Sequence, residues 1–128
     1  MSLRAGLSAV VELEVREADT APAVGSGDVP VLATPRLVAL AEQATVRAVA
    51  EHLPAGQTTV GTEVALRHRR PSAVGAVITV TARLVDVDSA RLRFEIAADQ
   101  DGESIADGSV RRVVVDRDAF LARVPGPA

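Results

Sequence analysis

The chain predicts an α+β fold: an antiparallel five-stranded sheet wrapped on one long helix, with a short helix at the C-terminal end. Three observations predict it. Apolar residues alternate at period two in five segments, the mark of strands with one wet face. One segment alone reads as a long helix, of about five turns, and it follows the first strand. The links between the later strands are short and carry turn residues. At 128 residues the chain fits one domain, 1–128, large enough to bury a real core.

The first strand is "LSAVVELEV" (7–15), where Val11, Leu13 and Val15 alternate with Glu12 and Glu14. The Pro, Gly and Ser content of "READTAPAVGSGDVPVLA" then predicts a loop of about fifteen residues, longer than most connections and suited to a lid. "TPRLVALAEQATVRAVAEHL" (34–53) is the helix, with Thr34 at the N-cap and Pro35 at the first helical position. After "PAG" the period returns to two in "TTVGTEVALRH" (58–68), "AVITVTARLVDV" (76–87), "ARLRFEIAAD" (90–99) and "ESIADGSVRRVVVD" (103–116). The simplest arrangement is four consecutive antiparallel strands. Asp116 then caps a last helix, "RDAFLARV". A single sheet on a single helix leaves edge strands and apolar surface unprotected, which predicts a homodimer.

Composition narrows the partners. A net charge of −3 lacks the positive field that nucleic acid or an anionic membrane requires. All fourteen basic residues are arginine, which points to a GC-rich bacterial genome. The absence of cysteine removes disulfides, thiolate metal sites and a Cys nucleophile, and two distant histidines make no metal site. With no signal-peptide pattern and no run of 18 apolar residues, a soluble cytoplasmic protein is expected.

Three residues stand out. At 100° per residue, Leu37, Val38, Ala41, Ala44, Thr45, Ala48 and Val49 form one helical arc, and Glu42 falls beside Val38, Val46 and Val49. No cation stands at i±3 or i±4 of Glu42, so its partner comes from elsewhere. A carboxylate desolvated without a fixed cation acquires the raised pKa of a general base; one at the arc's edge simply reaches solvent. His68 continues the face of Val60, Thr62, Val64 and Leu66, with Gly61 on the opposite face, and reads either as a rim histidine or as a proton carrier. Thr34 is what capping alone selects, yet a helix N-terminus also suits a hydroxyl beside a developing oxyanion. Thr34 and Glu42 lie about 12 Å apart along the helix axis, so they are not direct partners. His52, near the helix end, reads as a favourable C-terminal charge.

The run "VLATPRLVALAEQA", then "TVGTEVALRHRRPSAVGAVITVTARL", then "GSVRRVVVDRDAFLARV" resembles the single-domain hot-dog thioesterases of the fluoroacetyl-CoA thioesterase type over nearly the whole chain. The resemblance implies a hot-dog fold and a catalytic group of Thr34, Glu42 and His68, which match the family's Thr, Glu and His at their intervals. It also implies that Gly61 offers a backbone N–H near the thioester carbonyl, although relief of crowding in the strand explains a glycine there equally well. The fluoroacetyl-selective type lines its lid with phenylalanines, whereas here that segment is "APAVGSGDVPVLA" and the two phenylalanines, Phe94 and Phe120, lie elsewhere. The resemblance therefore implies a general short or medium acyl-CoA. Coenzyme A enters only as part of the substrate, with no separate cofactor; Arg67, Arg69, Arg70, Arg111 and Arg112 are the arginines whose planar forks suit its phosphates. The rival expectations are a hot-dog module that binds an acyl-CoA without turnover and, more weakly, a hydratase.

Overall fold

A computed structural model of the chain describes residues 3–127. Its strands are β1 (Ser8–Glu14), β2 (Gln57–His68), β3 (Val77–Asp88), β4 (Arg91–Gln100) and β5 (Glu103–Asp116). The helices are α1 (Ala21–Val24), α2 (Thr34–Val49) and α3 (Arg117–Ala122). Alternation in the sequence places every strand to within a residue or so of its ends, because each has one apolar and one wet face. The order across the sheet is β1-β3-β4-β5-β2, all antiparallel.

That order corrects the expectation of four consecutive neighbours. β3, β4 and β5 do follow one another as hairpins, but β2 pairs with β5 at the far edge, and β1 takes the free side of β3. The link after β2 is a crossover: Leu32 N donates to Ser72 O (2.9 Å), Ala73 bridges Val31, and Gly75 N donates to Val15 O (2.8 Å). Its eight residues, 69–76, suit either a hairpin loop or a crossover, and only the pairing needs of β1 and β2 decide.

Paired residues on antiparallel neighbours share a face, so rows of side chains run across the concave side. They are Val11–Val80–Ala98–Ala106–His68, Ala9–Ala82–Ile96–Gly108–Leu66, Leu84–Phe94–Val110–Val64, and Leu92–Arg112–Gly61. The first three rows are the core, and they receive the buried residues of α2: Leu37, Leu40, Ala41, Ala44, Thr45, Ala48 and Val49. Each fully buried leucine stabilises the fold by roughly 1.5–3 kcal/mol. The arc read from the sequence survives, widened by Leu40, while Val38 is half-buried at its margin. Gly108 has no room for a side chain, since a Cβ would overlap the carbonyl oxygen of Ala65 where β2 curls over β5.

α2 ends at Val49 and continues as one 3-10 turn through His52, shorter than the predicted helix to 53. It begins at Thr34, with Ala33 at the N-cap, so Thr34 is the first helical residue and its side chain makes no cap. α3 is capped as expected: Ala119 N donates to Asp116 Oδ1 (2.9 Å). The predicted loop ahead of α2 is a stitched flap. Thr20 bridges Leu32, and the buried Asp19 accepts from Arg36 Nε (2.8 Å) and from Arg16 N (2.8 Å). Among the described residues no helix is long and apolar enough to cross a membrane.

Candidate active site

Two polar pairs join α2 to the sheet. The first stands at the helix start, where Thr34 Oγ1 and His68 Nδ1 are 2.8 Å apart. Thr34 is free for this bond because it does not cap the helix. Burial pushes the His68 pKa below its ordinary value of 6.5, outweighing the nearby Arg70 backbone, which raises it. The ring is thus neutral at pH 7, and with its proton on Nε2 the Nδ1 lone pair accepts from the Thr34 hydroxyl. Nε2 itself is buried and meets no hydrogen-bond partner among the described residues. A cleft of about 290 Å³ opens here, lined by Ala21, Ser26 and Val31 of the flap, by Thr34 and by His68 and Arg70.

The second pair lies farther along. Arg112 Nη1 donates to Glu42 Oε2 at 3.1 Å. The Arg112 side chain is 7% exposed and that of Glu42 37%. Burial lowers the Arg112 pKa from its ordinary value, and the charge and hydrogen bond of Glu42 oppose the shift. Arg112 is anchored to β2: Nε donates to Thr59 Oγ1 (2.8 Å) and Nη2 to Thr59 O (3.1 Å). The partner of Glu42 does come from outside its helix: it is Arg112, on a strand seventy residues away.

Gly61 also moves. A bulge between Gly61 and Glu63 shifts the register by one, so Gly61 shares the concave face with Val64, Leu66 and His68 and not the opposite one. A Cβ at Gly61 would overlap Glu42 Oε2 and stand 3.2 Å from Arg112 Nη1. Glycine is what lets the ion pair close over the strand.

The predicted residues thus form two groups, Thr34 with His68 and Glu42 with Gly61 and Arg112. They are separated by about 12 Å along α2 and about 20 Å along β2. The arginines divide similarly. Arg69 pairs with Asp107 and Arg70 with Glu103 on the exposed surface, Arg111 pairs with Glu63 (2.9 Å), and Arg67 is exposed. Arg112 does not belong with them: its guanidinium is buried and committed to Thr59 and Glu42, so it presents no free fork to a phosphate. The sequence carried a signal for this, since Val110, Arg112 and Val114 alternate on the inward side of β5. Thr59 and the Asp19–Arg36 clamp gave no such signal. No cluster of three metal-ligating side chains occurs among the described residues.

Residues 15–118 match the family model described as fluoroacetyl-CoA-specific thioesterase. The chain belongs to this family. A fluoroacetyl-CoA thioesterase of Streptantibioticus cattleyicolor is 35% identical over 94 residues, covering 73% of this chain and 68% of that protein. A solved structure of the fluoroacetyl-CoA thioesterase superposes with a TM-score of 0.89 at 27% identity, over 98% of this chain and 100% of that one. A variant of the fluoroacetyl-CoA-specific thioesterase in complex with fluoroacetate and CoA superposes with a TM-score of 0.85 at 28% identity, over 92% and 99%. A thioesterase superfamily member of Thermus thermophilus gives 0.88 at 26% identity, over 94% and 90%. Membership in the fluoroacetyl-CoA-specific thioesterase family places the chain among thioester hydrolases of the hot-dog fold.

Proposed function

We propose that the protein is an acyl-CoA thioesterase acting on a short or medium acyl group, with Thr34, Glu42 and His68 as its catalytic group. The observation that carries this reading is the Thr34–His68 hydrogen bond of 2.8 Å at a cleft, in a chain of a thioesterase family. Neutral His68 moves the proton of Thr34, which orients the thioester or attacks it. Glu42 Oε2 is held by Arg112, and Oε1 accepts no hydrogen bond from the described residues, leaving it to meet water or the carbonyl carbon. By either route the C–S bond breaks, the sulfur departs as the CoA thiol with one proton, and a water oxygen ends in the carboxylic acid. Gly61 N–H supplies a donor to the oxyanion. The small flap residues Ala21, Ser26 and Val31 support an acyl group larger than fluoroacetyl. Arg69 and Arg70, which line the cleft, and the exposed Arg67 before them on β2 suit the CoA phosphates. No cofactor is needed beyond the CoA of the substrate, and that substrate class implies a cytoplasmic setting.

The active unit in this reading is a homodimer. β2 is an edge strand with one unpaired side. Two copies pairing antiparallel along β2 about a two-fold axis set the His68 end of one strand beside the Gly61 end of the other. Thr34 and His68 of one subunit then face Glu42 of its partner, closing the separation that one chain leaves open.

The test is thiol release from a panel of acyl-CoAs, wild type beside Glu42→Gln. The chain has no cysteine to react with the thiol reagent. Expected is hydrolysis in the wild type and a loss of about 100-fold or more in the mutant with the fold intact. Binding of acyl-CoA with no thiol released would reject the enzyme in favour of a binding module.

A further inference from the structure

Thr59 sits on β2 two residues before Gly61 and is 9% exposed. Valine is close to threonine in shape, and a hydroxyl at a buried strand position is costly unless bonded. Its oxygen accepts from Arg112 Nε (2.8 Å), and its carbonyl accepts from Nη2 of the same guanidinium (3.1 Å). A guanidinium is a rigid planar fork, so two anchors on one residue set its plane and hence the direction of the third N–H. That third group is Nη1, which donates to Glu42 Oε2. The carboxylate is the more open and flexible member of the pair, and the buried cation is the fixed one. The order of control therefore runs from the strand through the arginine to the helix.

We infer that Thr59 is a positioning residue for thioester hydrolysis: through Arg112 it fixes the Glu42 carboxylate over Gly61 without touching substrate. This rests on the reading of Glu42 given above. The test compares Thr59→Val, which keeps shape and removes the hydroxyl, with Thr59→Ser, which keeps the hydroxyl. Steady-state kinetics are measured with the best acyl-CoA of the panel. Hydrogen exchange of the Arg112 Nε–H is followed by ¹⁵N NMR without substrate, the signal being assigned by its loss in Arg112→Lys. Expected for Thr59→Val are a kcat about tenfold lower, KM within about twofold, and Nε–H exchange at least about tenfold faster. Thr59→Ser is expected to stay within about twofold of wild type in all three. If Thr59→Val folds poorly, Thr59→Ala takes its place. A folded hydroxyl-free variant with unchanged kcat, or a Thr59→Ser variant as impaired as Thr59→Val, overturns the inference. A wild type that turns over no thioester overturns the thioesterase reading and the catalytic half of this one with it, while the exchange rates still decide whether Thr59 holds Arg112.

Discussion

The Thr34–His68 pair and the Glu42–Arg112 pair both tie α2 to the sheet, yet they are built on opposite principles. The first is uncharged, borders a cleft and leaves one ring nitrogen of His68 unpartnered. The second is an ion pair whose cation is buried and triply bonded. An uncharged pair with a spare nitrogen is placed to pass a proton, whereas a clamped ion pair is placed to hold a carboxylate still. Disturbing the first should cost chemistry with little stability, and disturbing the second should cost both.

The largest effect is expected at Gly61. Gly61→Ala drives a methyl group into Glu42 Oε2, so the half-open carboxylate must swing aside and leave its place over the strand. Thiol release should fall about 100-fold, while the melting temperature should drop only by an amount matching about 1 kcal/mol, the loss of the Glu42–Arg112 hydrogen bond. Retention of wild-type turnover would break the assignment of Glu42 to the site. Next comes Arg112→Met, which deprives a half-open carboxylate of its cation. Denaturant titration should show a loss of roughly 1–3 kcal/mol, below the cost for a fully buried pair because Glu42 keeps some access to water.

At the other pair, Thr34→Val should lower kcat by roughly 10- to 100-fold while changing stability by less than about 1 kcal/mol, since no helix cap is lost. A stability loss as large as that of Arg112→Met would erase the contrast between the two pairs. His68 adds a pH signature. Its folded pKa lies below the ordinary 6.5 because of burial, so its contribution to stability is complete above 6.5. It declines as pH falls, because the unfolded chain takes up the proton first, and it is gone below the folded value. NMR titration of the ring should give a midpoint under 6.5, and His68→Asn should flatten the pH dependence of stability in that window.

The smallest effect belongs to the flap clamp. Burial disfavours the Asp19 charge, but the Arg36 hydrogen bond, the Arg16 N–H and both positive charges outweigh it and hold the carboxyl below its ordinary 3.8. The stability this supplies is present above pH 3.8 and is lost as pH falls through the lower folded value. Asp19→Asn should cost about 1 kcal/mol or less at neutral pH, because Arg36 is partly exposed. It should also speed proteolysis of the flap, which is the measurement that isolates it.

Period and punctuation were enough to locate the helix and all five strands, since alternation and helical arcs are local consequences of side-chain geometry. The same local logic singled out Glu42 and His68 as odd for their places in a pattern, and Thr34 for its place at a helix start. It placed Gly61 on the wrong face, because one bulge residue, invisible to a strict period of two, inverts the parity of everything before it. It grouped Arg112 with the other arginines and placed the partner of Glu42 elsewhere without identifying it, because a contact across seventy residues is set by which strands become neighbours. Which residues are inward, outward or anomalous follows largely from local pattern. What the anomalous ones meet depends on the folded sheet, because strand order and register are settled by packing the whole sheet against α2 and leave no local periodic trace.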